Sequence, residues 1–125
     1  MLIIDSVYIC KGGGKVLLDY LIEVLLERKV IFHLLLDKRS TYTNKLYDRC
    51  SCITIIDSNE LSRYKFYKQS SQKIKKIFCL GNVPPPVNMK IEVYTYFHNV
   101  LFFEGSGSQG FRGKVLLFLK KIYIG

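Results

Sequence analysis

Two short runs, Val30 to Leu36 and Cys52 to Ile56, constrain the fold most, because both are almost entirely apolar. Neither has the polar alternation of a strand with one solvated face. Such runs predict strands buried on both faces, and these occur in parallel sheets that helices cover on either side. The chain is therefore expected to be an α/β protein.

Further strands and helices are predicted around these two runs. The remaining strands are expected at Leu2 to Ile9, Ile77 to Leu80 and Ile91 to Phe97. Helices are predicted over Lys15 to Arg28 and over Gly113 to Tyr123. A third helix is predicted between them, with Asp57 as its N-cap and Glu60 as the capping-box partner, and it runs through Gln72. In the first helix, the polar stripe is Lys15, Asp19, Glu23 and Glu27, and its two inner acids argue against a membrane span. This order predicts one Rossmann-like domain, a parallel sheet flanked by helices, over residues 1–125.

Composition agrees with a globular domain but divides the chain by charge. Hydrophobic residues make up 49% of the 125 residues, charged residues 23%, and the net charge is +9. Residues 1–60 hold eight basic and eight acidic residues, whereas residues 61–125 hold eleven and two. The basic half favours phosphates, nucleic acid or an anionic membrane surface as a partner.

A run of basic residues on and just after the second helix carries much of that excess. Its members are Arg63, Lys65, Lys68, Lys73, Lys75 and Lys76, with Tyr64, Phe66 and Tyr67 between them. Such a pattern can lie on an anionic bilayer, bind single-stranded nucleic acid, or form a solvated helix face whose rings pack inward. The residues alone leave these three possibilities open.

The cysteines and histidines do not form a metal-binding pattern. Cys50 and Cys52 are separated by one residue, and only His33 and His98 could join them. Zinc sites use wider Cys spacings, so no metal site is predicted. Without a signal-peptide pattern, a reducing cytoplasm is the expected location.

The first strand runs into a glycine loop, Lys11 to Lys15, with Gly12, Gly13 and Gly14 at its centre. A nucleotide-binding P-loop would place Ser or Thr after Gly14-Lys15, but Val16 stands there. The dinucleotide-binding fingerprint G-x-G-x-x-G also fails, because Leu17 stands where its last glycine is required. Asp37 could still act as the acid that this fingerprint places after the second strand. Glycines at a helix N-terminus still favour an anion or a sugar hydroxyl close to the backbone, or they serve only a tight turn.

Two later stretches strengthen the case for a ligand. Cys79-Leu80-Gly81-Asn82-Val83-Pro84-Pro85 and Tyr94-Thr95-Tyr96-Phe97-His98-Asn99 follow the strand, glycine loop and helix of Ile3 to Leu26. In this order, they resemble the N-terminal domain of glycosyltransferase family 4, which has the GT-B architecture. His98 and Asn99 would end a strand at the same sheet edge as the glycine loop.

The resemblance implies an activity and roles for particular residues. Family members transfer a sugar from a nucleotide-diphosphate sugar to an acceptor, with retention of configuration and no bound metal or other cofactor. Gly12, Gly13 and Gly14 would approach the donor phosphates or the acceptor, His98 would lie near the transferred sugar as the catalytic residue, and Asn99 would share the site. Acceptors include glycans and lipid-linked sugars, in polysaccharide or glycolipid synthesis. Because many family members act on lipid-linked acceptors at the cytoplasmic face of a membrane, the resemblance implies that the basic run contacts an anionic membrane rather than nucleic acid.

The resemblance also implies a second domain for the donor, with paired glutamates, supplied by a longer chain or by a partner. We expect the 125 residues alone not to turn over substrate, because transition-state stabilisation needs both sides of the cleft. Two alternatives stay open. One is a non-catalytic basic module that binds nucleic acid or another phosphorylated ligand, and the other is a degenerate remnant that folds poorly.

Overall fold

The computed structural model describes residues 1–40, 45–81, 83–87, 90–97 and 100–102. The described elements, in chain order, are β1 (Leu2–Ser6), α1 (Gly13–Glu27), β2 (Phe32–Asp37), a 3₁₀ helix (Lys45–Arg49), β3 (Ile53–Ile56), α2 (Glu60–Ser70), β4 (Lys76–Cys79), β5 (Glu92–Phe97) and β6 (Val100–Phe102). His98, Asn99 and the helix predicted over Gly113 to Tyr123 lie outside the described residues.

The strands form one sheet in the order β3-β2-β1-β4-β5-β6. The first five of these strands are parallel, and β6 pairs antiparallel with β5. The predicted Rossmann-like α/β fold is therefore confirmed. The short strand β6 was not predicted, and it adds an antiparallel edge to the sheet.

The two helices cover opposite faces of the sheet, which explains why the central strands lack alternation. The prediction that Cys52 to Ile56 is buried on both faces is wrong, because β3 is an edge strand, no residue of β3 is fully buried, and Ile55 is 49% exposed. Leu18, Leu21, Ile22 and Leu25 of α1 pack with Leu2, Ile4 and Leu34 on one face. Tyr67 of α2 packs with Ile3, Leu35 and Ile77 on the other. Since β1 and β2 have neighbours on both faces, an inward-facing polar residue there needs a partner inside the protein.

Two sequence-based details differ from the structure. β1 ends at Ser6, because the Ile9 amide donates to the Ser6 carbonyl and closes a turn before the glycine loop. The N-cap of α2 is Asn59, whose side chain accepts a hydrogen bond from the Ser62 amide at 2.8 Å, so the predicted Asp57 cap is wrong. Neither described α-helix has the length and apolar character required to cross a bilayer.

The exposed stripe of α1 also differs from the predicted one. Glu23 and Glu27 are exposed as expected, but Lys15 and Asp19 are half-buried. Both contact Tyr47 of the 3₁₀ helix: the Lys15 ammonium and the Tyr47 hydroxyl are hydrogen-bonded, and Tyr47 donates to Asp19 at 2.6 Å. Val16 and Tyr20 take the outward positions instead.

Candidate functional site

The candidate site lies at the carboxyl edge of the sheet, where the parallel strands end. The chain leaves β1 towards β2 and β3, then crosses through α2 to β4 on the other side of β1. The connections after β1 and β4 therefore diverge to opposite faces of the sheet, which is where open α/β folds bind their ligands. The glycine loop follows β1 at this point.

The glycine loop opens helix α1 and leaves its backbone accessible. Gly12 is the N-cap with φ of 75°, a left-handed conformation that favours glycine, and α1 begins at Gly13. A Cβ added at Gly12 or Gly13 would meet nothing within 4 Å. Within the described part of the chain, no acceptor lies within hydrogen-bond reach of the Gly13 and Gly14 amides. Two donors at the positive end of the helix dipole therefore have no partner in the described part of the chain, one on the exposed Gly13 and one on the half-buried Gly14.

Lys15 does not extend towards this space. Its ammonium lies 3.7 Å from the Asp19 carboxylate and 4.0 Å from the centre of the Tyr47 ring. Burial lowers the pKa of Lys15, although Asp19 opposes the shift. The lysine side chain holds the 3₁₀ helix against the first turns of α1 and is therefore engaged. The donors that remain for a ligand at this loop are backbone amides.

A strained turn carries the chain from β1 to the glycine loop. Tyr8 has φ of 77°, which is unusual for a residue with a side chain. The Tyr8 amide donates to Asp37 Oδ2 at 2.7 Å, and its hydroxyl donates to Glu60 Oε2. Burial and the Glu60 contact raise the pKa of Tyr8 to about 12, so it stays a neutral donor. Contacts from β2 and α2 thus stabilise a turn that costs about 1–3 kcal/mol by itself.

Asp37 is therefore not available as a ribose ligand, the role that its position at the end of β2 suggested. Its side chain is fully buried, and it accepts hydrogen bonds from the Arg39 side chain at 3.0 Å and from the Arg39 amide at 2.8 Å in addition to Tyr8. Burial alone would raise the pKa of Asp37, but these bonds outweigh it and hold the pKa below its ordinary value. The carboxylate supports the loop.

On the α2 face of the sheet lies a buried charge cluster, formed by Asp5, Arg63 and Tyr67, and the exposed Glu60 pairs with Arg63 at its rim. Asp5 and Arg63 are each 1% exposed, and Arg63 Nη2 lies 2.8 Å from Asp5 Oδ2. Tyr67 donates to the same oxygen at 2.6 Å. Burial opposes the charge of Arg63, but Asp5 and Glu60 outweigh it and raise the pKa of the guanidinium.

Arg63 also connects the cluster to the proline-rich segment after β4. Its guanidinium donates to the carbonyls of Val83 at 3.0 Å and Pro84 at 3.2 Å, and to Glu60 at 2.9 Å. Together with two bonds to Asp5, these contacts use all five donors of the side chain. One residue of α2 thereby holds β1 and the segment after β4 together at the carboxyl edge.

The prediction that Arg63 belongs to a surface that contacts an anionic membrane is therefore wrong. Asp5, an acid within the apolar run of β1, was the sequence signal that a buried cation was needed. Lys65, Lys68, Lys73 and Lys75 are exposed, and Lys76 is half-buried. The structure separates them, because Lys65 and Lys68 lie on α2 whereas Lys75 and Lys76 lie at the start of β4.

Within the described ranges, no group of three His, Cys, Asp or Glu side chains is placed to hold a metal ion. The structure brings Gly12, Gly13 and Gly14 to the switch point, while His98 and Asn99 follow β5 outside the described residues. Tyr8, Asp37 and Arg63 were not predicted to organise this edge.

Comparisons with protein-family models, curated proteins and solved structures find no significant match to this sequence. The resemblance to glycosyltransferase family 4 rests on the quoted residues.

Proposed function

We propose that this chain is the acceptor-side domain of a retaining glycosyltransferase and that the glycine loop receives the diphosphate of a nucleotide-sugar donor. Its main support is the pair of unpaired amides at the exposed Gly13 and the half-buried Gly14, beside the switch point. A diphosphate carries negative charge and several acceptor oxygens, the ligand that such amides favour. The acceptor would be a glycan or a lipid-linked sugar, in polysaccharide or glycolipid synthesis.

The described residues support electrostatic stabilisation of the leaving group. As the sugar departs, negative charge grows on the diphosphate, and fixed amides stabilise it without reorganisation. Asp37, Glu60 and Tyr8 hold the turn before these amides in one conformation. The proposal assigns contacts with the transferred sugar to His98 and Asn99, and most contacts with the nucleotide to a second domain.

The Gly13→Ala substitution tests the loop directly. The added methyl group meets no protein atom within 4 Å, so we expect the free energy of unfolding to stay within about 0.5 kcal/mol or to rise slightly. The methyl group occupies the space of the proposed phosphate, so affinity for nucleotide-diphosphate sugars should fall about tenfold or more. Calorimetry on the complete enzyme, with a panel of uridine and guanosine diphosphate sugars, measures this.

The matched control is Val16→Ala, which changes a 70% exposed side chain in the same turn of α1. It should leave affinity unchanged. Equal affinity of the Gly13→Ala protein and the wild type would remove the glycine loop from the donor site. Binding of single-stranded nucleic acid that falls steeply with salt, with no sugar-nucleotide binding, would instead favour the non-catalytic basic module.

His98→Ala in the complete enzyme tests the second predicted site residue. We expect turnover to fall about 100-fold or more with folding intact, because the imidazole is proposed to act on the reacting sugar. Initial rates with saturating donor, together with thermal melting, measure the two effects. Unchanged turnover would remove His98 from the site.

A further inference from the structure

A second group of cations lies at the opposite edge of the sheet, the N-terminal edge, where the parallel strands begin. Leu2 pairs with Phe32 on one side and with Lys76 on the other, so the turns before β2 and β4 flank the start of β1. These turns carry the basic edge cluster, defined as Arg28, Lys29, Lys75 and Lys76. The cluster surrounds an open cavity of about 430 Å³.

The charge of this cluster is poorly compensated. Among the described residues, those lining the cavity include no carboxylate. Arg28, Lys29 and Lys75 are exposed, while Lys76 lies 3.8 Å from Glu92 on the neighbouring strand. Four cations in one concave surface create a positive potential that attracts anions.

Exposed apolar side chains stand within the same surface. Ile31 is 83% exposed, and Met1 beside it is 36% exposed. A soluble phosphate would use the cations but gain nothing from Ile31. A bilayer rich in anionic lipids uses both, because its headgroups pair with the cations and its interface takes up the apolar side chain.

We propose that the N-terminal edge is a docking surface for an anionic bilayer, through the basic edge cluster and Ile31. This surface differs from the one predicted along α2, since it adds Arg28, Lys29 and Ile31 and does not use Lys65 or Lys68. It lies one strand length, about 17 Å, from the glycine loop. Docking and nucleotide-sugar binding are therefore separable, and either proposal can fail alone.

The test is sedimentation of the full chain with vesicles of phosphatidylcholine, with and without 30% phosphatidylglycerol. The variant Arg28→Gln/Lys75→Gln removes two exposed charges from the cluster, and Lys65→Gln/Lys68→Gln removes two from the exposed face of α2. Each cation near an anionic surface strengthens binding about fivefold, so the first pair should weaken it about 25-fold and the second much less. Ile31→Ser should weaken binding at high salt as well, where the charges are screened.

Binding to anionic vesicles that follows this order supports the proposal. Three results would overturn it: no binding to anionic vesicles, an equal loss in the α2 pair, or full retention of binding by Ile31→Ser. The last result would mean that the cluster binds phosphate groups by charge alone, and titration with inorganic phosphate would then detect a soluble ligand. Preferential binding of a single-stranded oligonucleotide through Arg28 and Lys75 would likewise count against a bilayer. Circular dichroism melts establish that each variant is folded.

Discussion

Replacement of Arg63 by methionine is expected to lower the free energy of unfolding by about 3–5 kcal/mol. Methionine keeps most of the side-chain volume, but it leaves Asp5 buried without its cation. It also leaves the Val83 and Pro84 carbonyls without their shared donor. Since small domains are stable by roughly 5–15 kcal/mol, this variant should be marginally folded. Urea unfolding followed by circular dichroism measures the loss.

Lys68→Met is the matched control, because it makes a similar change on the exposed face of the same helix. It should alter the free energy of unfolding by less than about 0.5 kcal/mol. Arg63→Lys keeps the charge but offers three donors where five are used, so an intermediate loss is expected. A loss below about 1 kcal/mol in Arg63→Met would mean that Asp5 finds another partner or takes up a proton.

A double-mutant cycle separates the ion pair from packing. In Asp5→Asn/Arg63→Met, the uncompensated charge is gone, so the combined loss should be smaller than the sum of the single losses by more than about 1 kcal/mol. Additive losses would indicate that the two side chains act independently, against the 2.8 Å contact between them.

The order of strands and helices was predictable because each depends on a local pattern. Apolar runs such as Val30 to Leu36 predict buried strands, and the apolar faces of α1 predict a helix packed on a sheet. The glycine loop was placed correctly at the start of α1 for the same reason: consecutive glycines interrupt both patterns.

The buried charge cluster was not predictable from local patterns, because its members are far apart in sequence. Asp5 and Arg63 are separated by 58 positions, and nothing in the basic run of α2 marks which cation turns inward. Helical spacing does align Arg63 with Tyr67, four residues later, and both are buried. An acid inside an apolar strand, combined with that spacing, is the signal that would have identified the pair.

The helix ends and the exposed stripe of α1 were also set by tertiary contacts. Asp57 and Asn59 are both good N-cap residues, and the choice between them depends on where the chain leaves β3. Lys15 and Asp19 were expected in water because charged residues usually lie there. The 3₁₀ helix covers them, and Tyr47 supplies the partner that makes their burial favourable.

Gly81→Ala is expected to destabilise the protein by about 3 kcal/mol, at the upper end of the overpacking range. Gly81 lies two residues after the end of β4 and packs against the turn after β1. A Cβ there would lie 2.3 Å from the Val7 carbonyl oxygen and 3.3 Å from Tyr8. The nearest atom belongs to the backbone, and Asp37 and Glu60 hold that turn in place. The strand end or the turn must therefore move.

Two other glycines provide a graded control for the same methyl group. At Gly13 the methyl group meets nothing within 4 Å, so the loss of unfolding free energy should be near zero. At Gly14 it comes within 2.9 Å of the end of the flexible Ile9 side chain, so a loss below about 1.5 kcal/mol is expected. Urea unfolding should rank Gly13→Ala, Gly14→Ala and Gly81→Ala in order of increasing loss of unfolding free energy. Because the Gly81 methyl group displaces the turn that leads into the glycine loop, Gly81→Ala should also weaken nucleotide-sugar binding. A Gly81→Ala protein as stable as the wild type would mean that the turns after β1 and β4 separate at little cost, so the switch point would be an adaptable surface.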